Sequence, residues 1–264
     1  MRRRFFVDAF EAGSATLRGE AAHHLGRVLR AEAGQLYELS DGRRVWLART
    51  ERVGREDVQF TLVEPLAAPA ERVRIELLLA IVKFDRFEWA LEKATELGAE
   101  EIAPLAAERS EKGLIAAAGK RAERWKRILA ESAQQARRLR IPELTSAVRP
   151  RDAFRASAAP TKLLLSERAG ARPLRELLEP VASAHREKNA AHAAGEPGEP
   201  GEPAENEAAR VAIAIGPEGG WTDAEFAAAA DCGFAEAGLG ANILRTETAV
   251  CAALAAVQYA FGGG

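Results

Sequence analysis

Two glycine-bearing segments near the end of the chain have the residue types and spacing to hold a small ligand. They are Ile215-Gly216-Pro217-Glu218-Gly219-Gly220 and Leu239-Gly240-Ala241-Asn242-Ile243-Leu244-Arg245-Thr246-Glu247-Thr248-Ala249. Glycine lets backbone approach a ligand closely, or turn with positive φ, because there is no Cβ to clash. The spacing also excludes chemistry. Neither GxGxxG nor GxxxxGK[S/T] is present, Pro217 lacks a donor N–H, and Glu218 repels phosphate, so a dinucleotide or nucleoside triphosphate is not expected. In the second segment Arg245 and Glu247 flank Thr246. A fixed arginine can stabilise a developing anion, and a carboxylate can orient a substrate or take its proton. The alternative is an Arg245–Glu247 ion pair that only shapes the turn.

The elements that would position these segments can be read around them. Val211 to Ile215 and Phe234 to Leu239 are short apolar runs of the kind that form buried strands. Thr222-Asp223-Ala224-Glu225 has the capping-box pattern that starts a helix just after the first segment. Two strand-to-helix loops of a parallel α/β sheet could thus line one pocket, or be two ordinary βα turns with a C-cap glycine. Ala249 to Phe261 reads as a helix nearly free of charge, with at least two faces to bury, in a core or against a second copy.

The chain has 264 residues, 47% apolar and 29% charged, an ordinary globular composition for one or two domains. Near Arg72 short alternating strands give way to strands separated by helices. The first part is rich in turn signals, such as Ser40-Asp41-Gly42-Arg43 between Leu36 and Leu47, and reads as a compact β-barrel-like unit. From Ala184 to Arg210, with its repeated Gly-Glu-Pro over 195–203, the composition is that of a flexible acidic surface insertion, placed at about 185–209. Met1-Arg2-Arg3-Arg4 precedes no apolar h-region, and no segment offers eighteen charge-free apolar residues, so a soluble cytoplasmic protein is expected. Cys232 and Cys251 are too few and too far apart for a zinc knuckle or redox pair, the histidines make no chelating set, and no metal is expected.

The formal net charge of -2 conceals an asymmetry. Between Arg109 and Arg155 stand thirteen Lys or Arg against five Asp or Glu, a local balance of +8 that suits a polyanion. Its densest part, Gln134 to Glu143, closes a helical run from Arg121, and Pro142 marks the exit. The alternative is a solvated helix face. In the first part His24, Arg27 and Arg30 are spaced so that on a helix the arginines share a face, and Arg2, Arg3 and Arg4 could join that surface. Phosphate contacts from such groups position RNA without reading its sequence.

The string GPEGG followed by LG-x-x-ILR-x-ETA resembles the cofactor signature of the RsmE family, small-subunit ribosomal RNA uridine-N3 methyltransferases of the SPOUT superfamily. Upstream, Lys93 to Gly98 is similar to the family's KATELG helix, Glu108-Arg109-Ser110 to its ERS turn, and His23-His24 through Val28-Leu29-Arg30 to its HH-x-x-x-VLR. Gln135, Arg138, Arg140 and Pro142 align with its EQ-x-GR-x-R-x-PEI stretch, where Gln134 replaces the Glu and Arg137 the Gly. The resemblance implies a PUA-like RNA-binding β-barrel domain over 1–70, and over 73–264 a SPOUT α/β methyltransferase domain with a C-terminal trefoil knot. It implies a homodimer that uses S-adenosyl-L-methionine to methylate N3 of a uridine in 16S rRNA, in the assembled small ribosomal subunit. Arg245 and Glu247 are then the catalytic candidates. The cofactor would be held by Leu165, Ser166, Ile215, Gly216, Pro217, Glu218, Gly219, Gly220, Leu239, Gly240, Ile243, Leu244, Arg245 and Thr248. RNA would meet His24, Arg27, Arg30, Arg109, Gln135, Arg138 and Arg140. The rival expectations are a SPOUT methyltransferase acting on another rRNA or tRNA position, and a non-catalytic RNA-binding ribosome assembly factor.

Overall fold

The computed structural model describes residues 3–68, 71–193 and 208–262. Arg2, the Gly-Glu-Pro repeat and the chain ends therefore lie outside the described residues. The chain forms two compact units, one of residues 1–70 with 130–141, the other of 71–129 with 142–264.

In the first unit β1 (Arg4–Phe6), β2 (Phe10–Glu11), β3 (Ser14–Arg18), β4 (Leu36–Ser40), β5 (Val45–Val53) and β6 (Asp57–Leu66) form one sheet in the order β1-β4-β5-β6-β3-β2. Only β1 and β4 run parallel. Register shifts at Leu47/Ala48 and Thr50/Arg52 mark bulges in β5, which bend a strand and tighten its twist. The Ser40 to Arg43 turn joins β4 to β5, its Gly42 at φ +83° and its Asp41 Oδ1 accepting from the Arg43 and Arg44 amides. Phe5, Leu17, Leu25, Leu39 and Phe60 are buried at the core. A short helix α1 (Gly19–His23) runs into a π-helical turn over His24–Val28, and Arg30 follows with φ +50°. The continuous helix that would align Arg27 with Arg30 is therefore not formed, because the chain leaves it before Arg30.

The second unit is a seven-stranded, all-parallel sheet in the order β11-β13-β10-β12-β7-β8-β9. Its strands are β7 (Val73–Ala80), β8 (Ala99–Leu105), β9 (Glu143–Leu144), β10 (Thr161–Leu165), β11 (Arg172–Pro173), β12 (Ala209–Ile215) and β13 (Ala235–Gly238). The helices are α2 (Phe84–Glu96), α3 (Lys112–Gln135, of which residues 130–135 belong to the first unit), α4 (Pro150–Ala156), α5 (Leu174–Ala193), α6 (Asp223–Asp231) and α7 (Thr246–Gly262). The two-residue period of β7 divides its side chains between two cores. Ile75, Leu77 and Leu79 pack with Phe87, Trp125, Val250 and Leu254, while Leu78 and Ala80 pack with Phe154, Trp221 and Phe234. Both strands expected beside the glycine segments form, and Thr222 with Glu225 makes the capping box in full.

Two boundaries differ from expectation. The composition places the acidic insertion from about residue 185, yet α5 continues to Ala193. His185 packs edge-on against Phe261, and Arg186 Nη1 donates to the Ala260 carbonyl, so the helix has α7 to lean on and its polar composition does not end it. Likewise α3 ends at Gln135, well before Pro142. Arg137 takes φ +52°, and the Arg138 amide donates back to the Ala133 carbonyl at 2.9 Å, the pattern of a Schellman stop. Arg137 stands where the resembled family carries glycine, and its left-handed backbone is the conformation glycine suits best. The stop is anchored within the first unit. Arg4 donates to the Arg137 and Arg138 carbonyls and to Glu38, and Ser40 Oγ donates to the Leu139 carbonyl.

Candidate active site

Strand order reverses at β10, with β12 on one side and β13 on the other. In open parallel sheets ligands bind at such a switch point, outside the carboxyl ends of the strands. Here the ends of these three strands and the loops that follow enclose a crevice. Leu165 and Ser166 form one wall, Ile215, Gly216, Pro217, Glu218 and Gly220 a second, and Leu239, Gly240, Ile243 and Leu244 a third. Eleven of the cofactor-binding residues expected from sequence thus meet in one place. Gly219, Arg245 and Thr248 do not line it. Gly219 faces elsewhere: a Cβ there would lie 3.2 Å from Arg109 Cβ, so the close approach is by protein and not by ligand. Arg245 and Thr248 are exposed.

The walls are held in place by two residues not expected from the sequence, Trp221 and Thr246, and by Ser166, which was. Trp221 connects two of them: its Nε1 donates to the Leu165 carbonyl at 3.0 Å, and its ring lies 3.0 to 3.2 Å from the position of a Cβ on Gly216. Thr246 Oγ1 donates to the Gly216 carbonyl at 3.2 Å and so joins the two glycine loops. Ser166 Oγ donates to Glu236 at 2.6 Å, and its amide to the Ala237 carbonyl at 2.9 Å, which fixes the first wall to β13. Gly220 has φ +70° and Gly240 φ +122°, so both turns use backbone that side chains disfavour. The tryptophan directly after Gly219-Gly220 was the available signal, but its partner Leu165 is 56 residues away.

Arg109, expected at the RNA, is engaged on the first glycine loop: Nη1 donates to the Gly219 carbonyl at 2.8 Å and the Trp221 carbonyl at 3.2 Å. The adjoining Glu108 amide donates to Glu225 Oε1, so the Glu108-Arg109-Ser110 turn and the capping box of α6 are one hydrogen-bonded unit. Six other residues expected at the RNA, His24, Arg27, Arg30, Gln135, Arg138 and Arg140, belong to the first unit although more than a hundred positions separate the two groups.

Arg245 and Glu247 do not pair with one another. Glu247 instead lies 4.0 Å from Arg86 Nε, with its Oε2 buried and without a hydrogen-bond partner. Arg86, on the first turn of α2, also pairs with Glu218. The crevice itself contains two carboxylates, Glu167 and Glu218, and no lysine or arginine among its lining residues. A lining without cations is a poor match for phosphate and a better one for a ligand with positive charge and groups that hydrogen-bond to backbone. A larger cavity, of about 790 Å³, opens at the opposite, amino-terminal edge of the sheet between Arg74, Glu76, Glu101, Glu143 and Arg210. It has none of the glycine turns and lies away from the switch point.

A family model described as an RNA methyltransferase domain matches residues 69–258. The chain is 30% identical to the ribosomal RNA small subunit methyltransferase E of Synechocystis over 247 residues, 93% of this chain and 73% of that one. It is 27% identical to the protein of the same name from Bacillus subtilis, covering 97% and 96%. Among solved structures, the methyltransferase E of Neisseria gonorrhoeae bound to S-adenosyl methionine superposes with a TM-score of 0.77 at 26% identity, covering 98% of each chain. A Legionella pneumophila protein in complex with the same cofactor gives 0.77 at 30% identity, also over 98% of each. By a family model that covers most of the chain and by these relatives and shared fold, the chain belongs to the RNA methyltransferase family of the ribosomal RNA small subunit methyltransferase E proteins.

Proposed function

We propose that the protein transfers a methyl group from S-adenosyl-L-methionine to N3 of a uridine in 16S ribosomal RNA of the small subunit. The observation that carries this reading is the crevice at the β10 switch point. Its glycine turns open backbone groups to an adenine, it holds no cation for phosphate, and its carboxylates suit a cofactor with a sulfonium and an ammonium group. Two solved relatives carry that cofactor.

When bound, adenosylmethionine supplies the electrophilic methyl carbon. The chain's residues then have three tasks. The uridine must be presented unpaired, since pairing hides N3. Its N3 proton must leave as the N–C bond forms, and Glu247, which follows Thr246 in the second glycine segment, is the group we assign to orient the base or accept that proton. Arg245, exposed beside the crevice and free of ion pairs among the described residues, is assigned to the anion that develops on the uracil ring. The first unit, as a PUA-like domain, would contact RNA phosphates through His24, Arg27, Arg30, Gln135, Arg138 and Arg140, with Arg109 serving mainly the cofactor loop. We further assign a trefoil knot to the segment around β10, β12 and β13. In its support, both later strands flank β10 and α7 returns to Gly216 through Thr246. A crystal structure tracing residues 161–246 tests the threading.

Labelled adenosylmethionine, incubated with the protein and small ribosomal subunits lacking N3-methyluridine, is expected to yield labelled N3-methyluridine on nucleoside mass spectrometry. Label on another nucleoside would move the assignment to another RNA position. Cofactor and RNA binding without any transfer would favour a non-catalytic assembly role. Arg245→Ala is expected to retain cofactor affinity and lose turnover; loss of affinity alone would remove its catalytic assignment.

A further inference from the structure

Arg86 stands between two carboxylates that belong to the two glycine loops. It projects from the first turn of α2, a helix that lines no part of the crevice. On one side its Nη1 pairs with Glu218, which does line the crevice; on the other its Nε lies 4.0 Å from Glu247, the second residue of α7. Glu247 is the more buried of the two, with 15% of its side chain exposed against 47% for Glu218. Its charge is correspondingly less screened by solvent. The uncommitted Glu247 Oε2 adds to the need for a nearby cation, since a buried carboxylate oxygen without a donor is costly.

We propose that Arg86 is a positioning residue, a charge latch that fixes the spacing of the crevice walls by separating two like charges. Without the guanidinium, Glu218 and Glu247 would repel one another, and the Gly216 to Gly220 loop would move away from the start of α7. The effect on the cofactor rests on the crevice being the adenosylmethionine site; the latch itself does not.

The test uses ligand-free melting and calorimetric titration with adenosylmethionine. The proteins are wild type, Arg86→Met, Arg86→Lys, Glu218→Gln and the double variant Arg86→Met/Glu218→Gln. Arg86→Met is expected to lower Tm and weaken cofactor binding about tenfold, within the range over which contacting charged residues couple. Arg86→Lys restores most of both. Glu218→Gln in the Arg86→Met background restores Tm, because it removes the repulsion without replacing the ion pair; affinity is not read in that variant, since Glu218 lines the crevice. A purely packing role for Arg86 predicts no such rescue. Equal Tm and affinity in wild type and Arg86→Met, or a double variant whose Tm is no higher than that of Arg86→Met, would overturn the latch. If Arg86→Met does not fold, recovery of folding in the double variant supports the proposal and its failure overturns it. Should wild type not bind adenosylmethionine, the cofactor assignment falls, while the Tm cycle still decides the latch.

Discussion

At the scale of single residues, the glycines of the first loop serve different ends. Gly216 leaves room for the Trp221 indole, Gly219 for the Arg109 side chain, and only Gly220, with Gly216, also faces the crevice. A valine at 216 must push against a ring already 3.0 Å from its Cβ, and that ring holds Leu165 through Nε1. Gly216→Val is therefore expected to cost about 1–3 kcal/mol, as overpacking of a filled site does. It should also displace the Leu165 wall and lose adenosylmethionine binding. Urea denaturation and calorimetry check the two effects, and an unchanged midpoint would contradict the packing account. The glycine pattern was legible as a pair of binding loops. Which atom each glycine makes room for was not, because Arg109 and Leu165 come from other parts of the chain.

At the scale of elements, α7 shows how a face without partners points outward. Its buried residues Val250, Ala253, Leu254, Val257 and Phe261 turn toward the sheet and the neighbouring helices. The other side presents Thr248, Ala255 and Tyr259, with Tyr259 90% exposed. Small residues around one large exposed ring, on a helix almost free of charge, fit close packing against a second copy, and we propose a homodimer through this face. Tyr259→Asp is expected to shift the protein to monomer in analytical ultracentrifugation at micromolar concentration while its far-ultraviolet circular dichroism stays that of the wild type. A wild-type protein that sediments as a monomer would end the proposal. The helix itself was evident in the sequence from its composition. The ends of α3 and α5 were not, since Arg137 and the Arg186–Ala260 contact act through backbone conformation and tertiary support.

At the scale of the whole molecule, charge is distributed so that each edge of the parallel sheet has its own character. The amino-terminal edge gathers Glu76, Glu100, Glu101 and Glu143 around one cavity, and burial together with Glu76, Glu143 and Glu100 raises the Glu101 carboxyl above its usual 4.5. The folded protein thus binds a proton at Glu101 more readily than the unfolded chain, so this residue's contribution is fully present below pH 4.5 and is lost as pH rises through the folded value. Glu101→Gln is expected to raise Tm at pH 7, with the gain vanishing below about pH 4.5. A gain independent of pH would mean that the amide packs better than the carboxyl group for reasons unrelated to charge. No helix among the described residues is long and apolar enough to cross a membrane, in keeping with a chain whose apolar runs are strand-sized. The local features were readable along the chain: the apolar strands, the capping box of α6, the glycine turns, and the family signature that points to a methyltransferase. These depend on neighbours a few residues apart, where side-chain period and backbone freedom decide the outcome. That β10 lies between two later strands, that Trp221 and Thr246 join the walls of the crevice, and that Arg86 pairs with both Glu218 and Glu247 became visible in the folded chain alone. Those relations join positions tens to more than a hundred residues apart, and they exist only once the parallel sheet has brought its strand ends together.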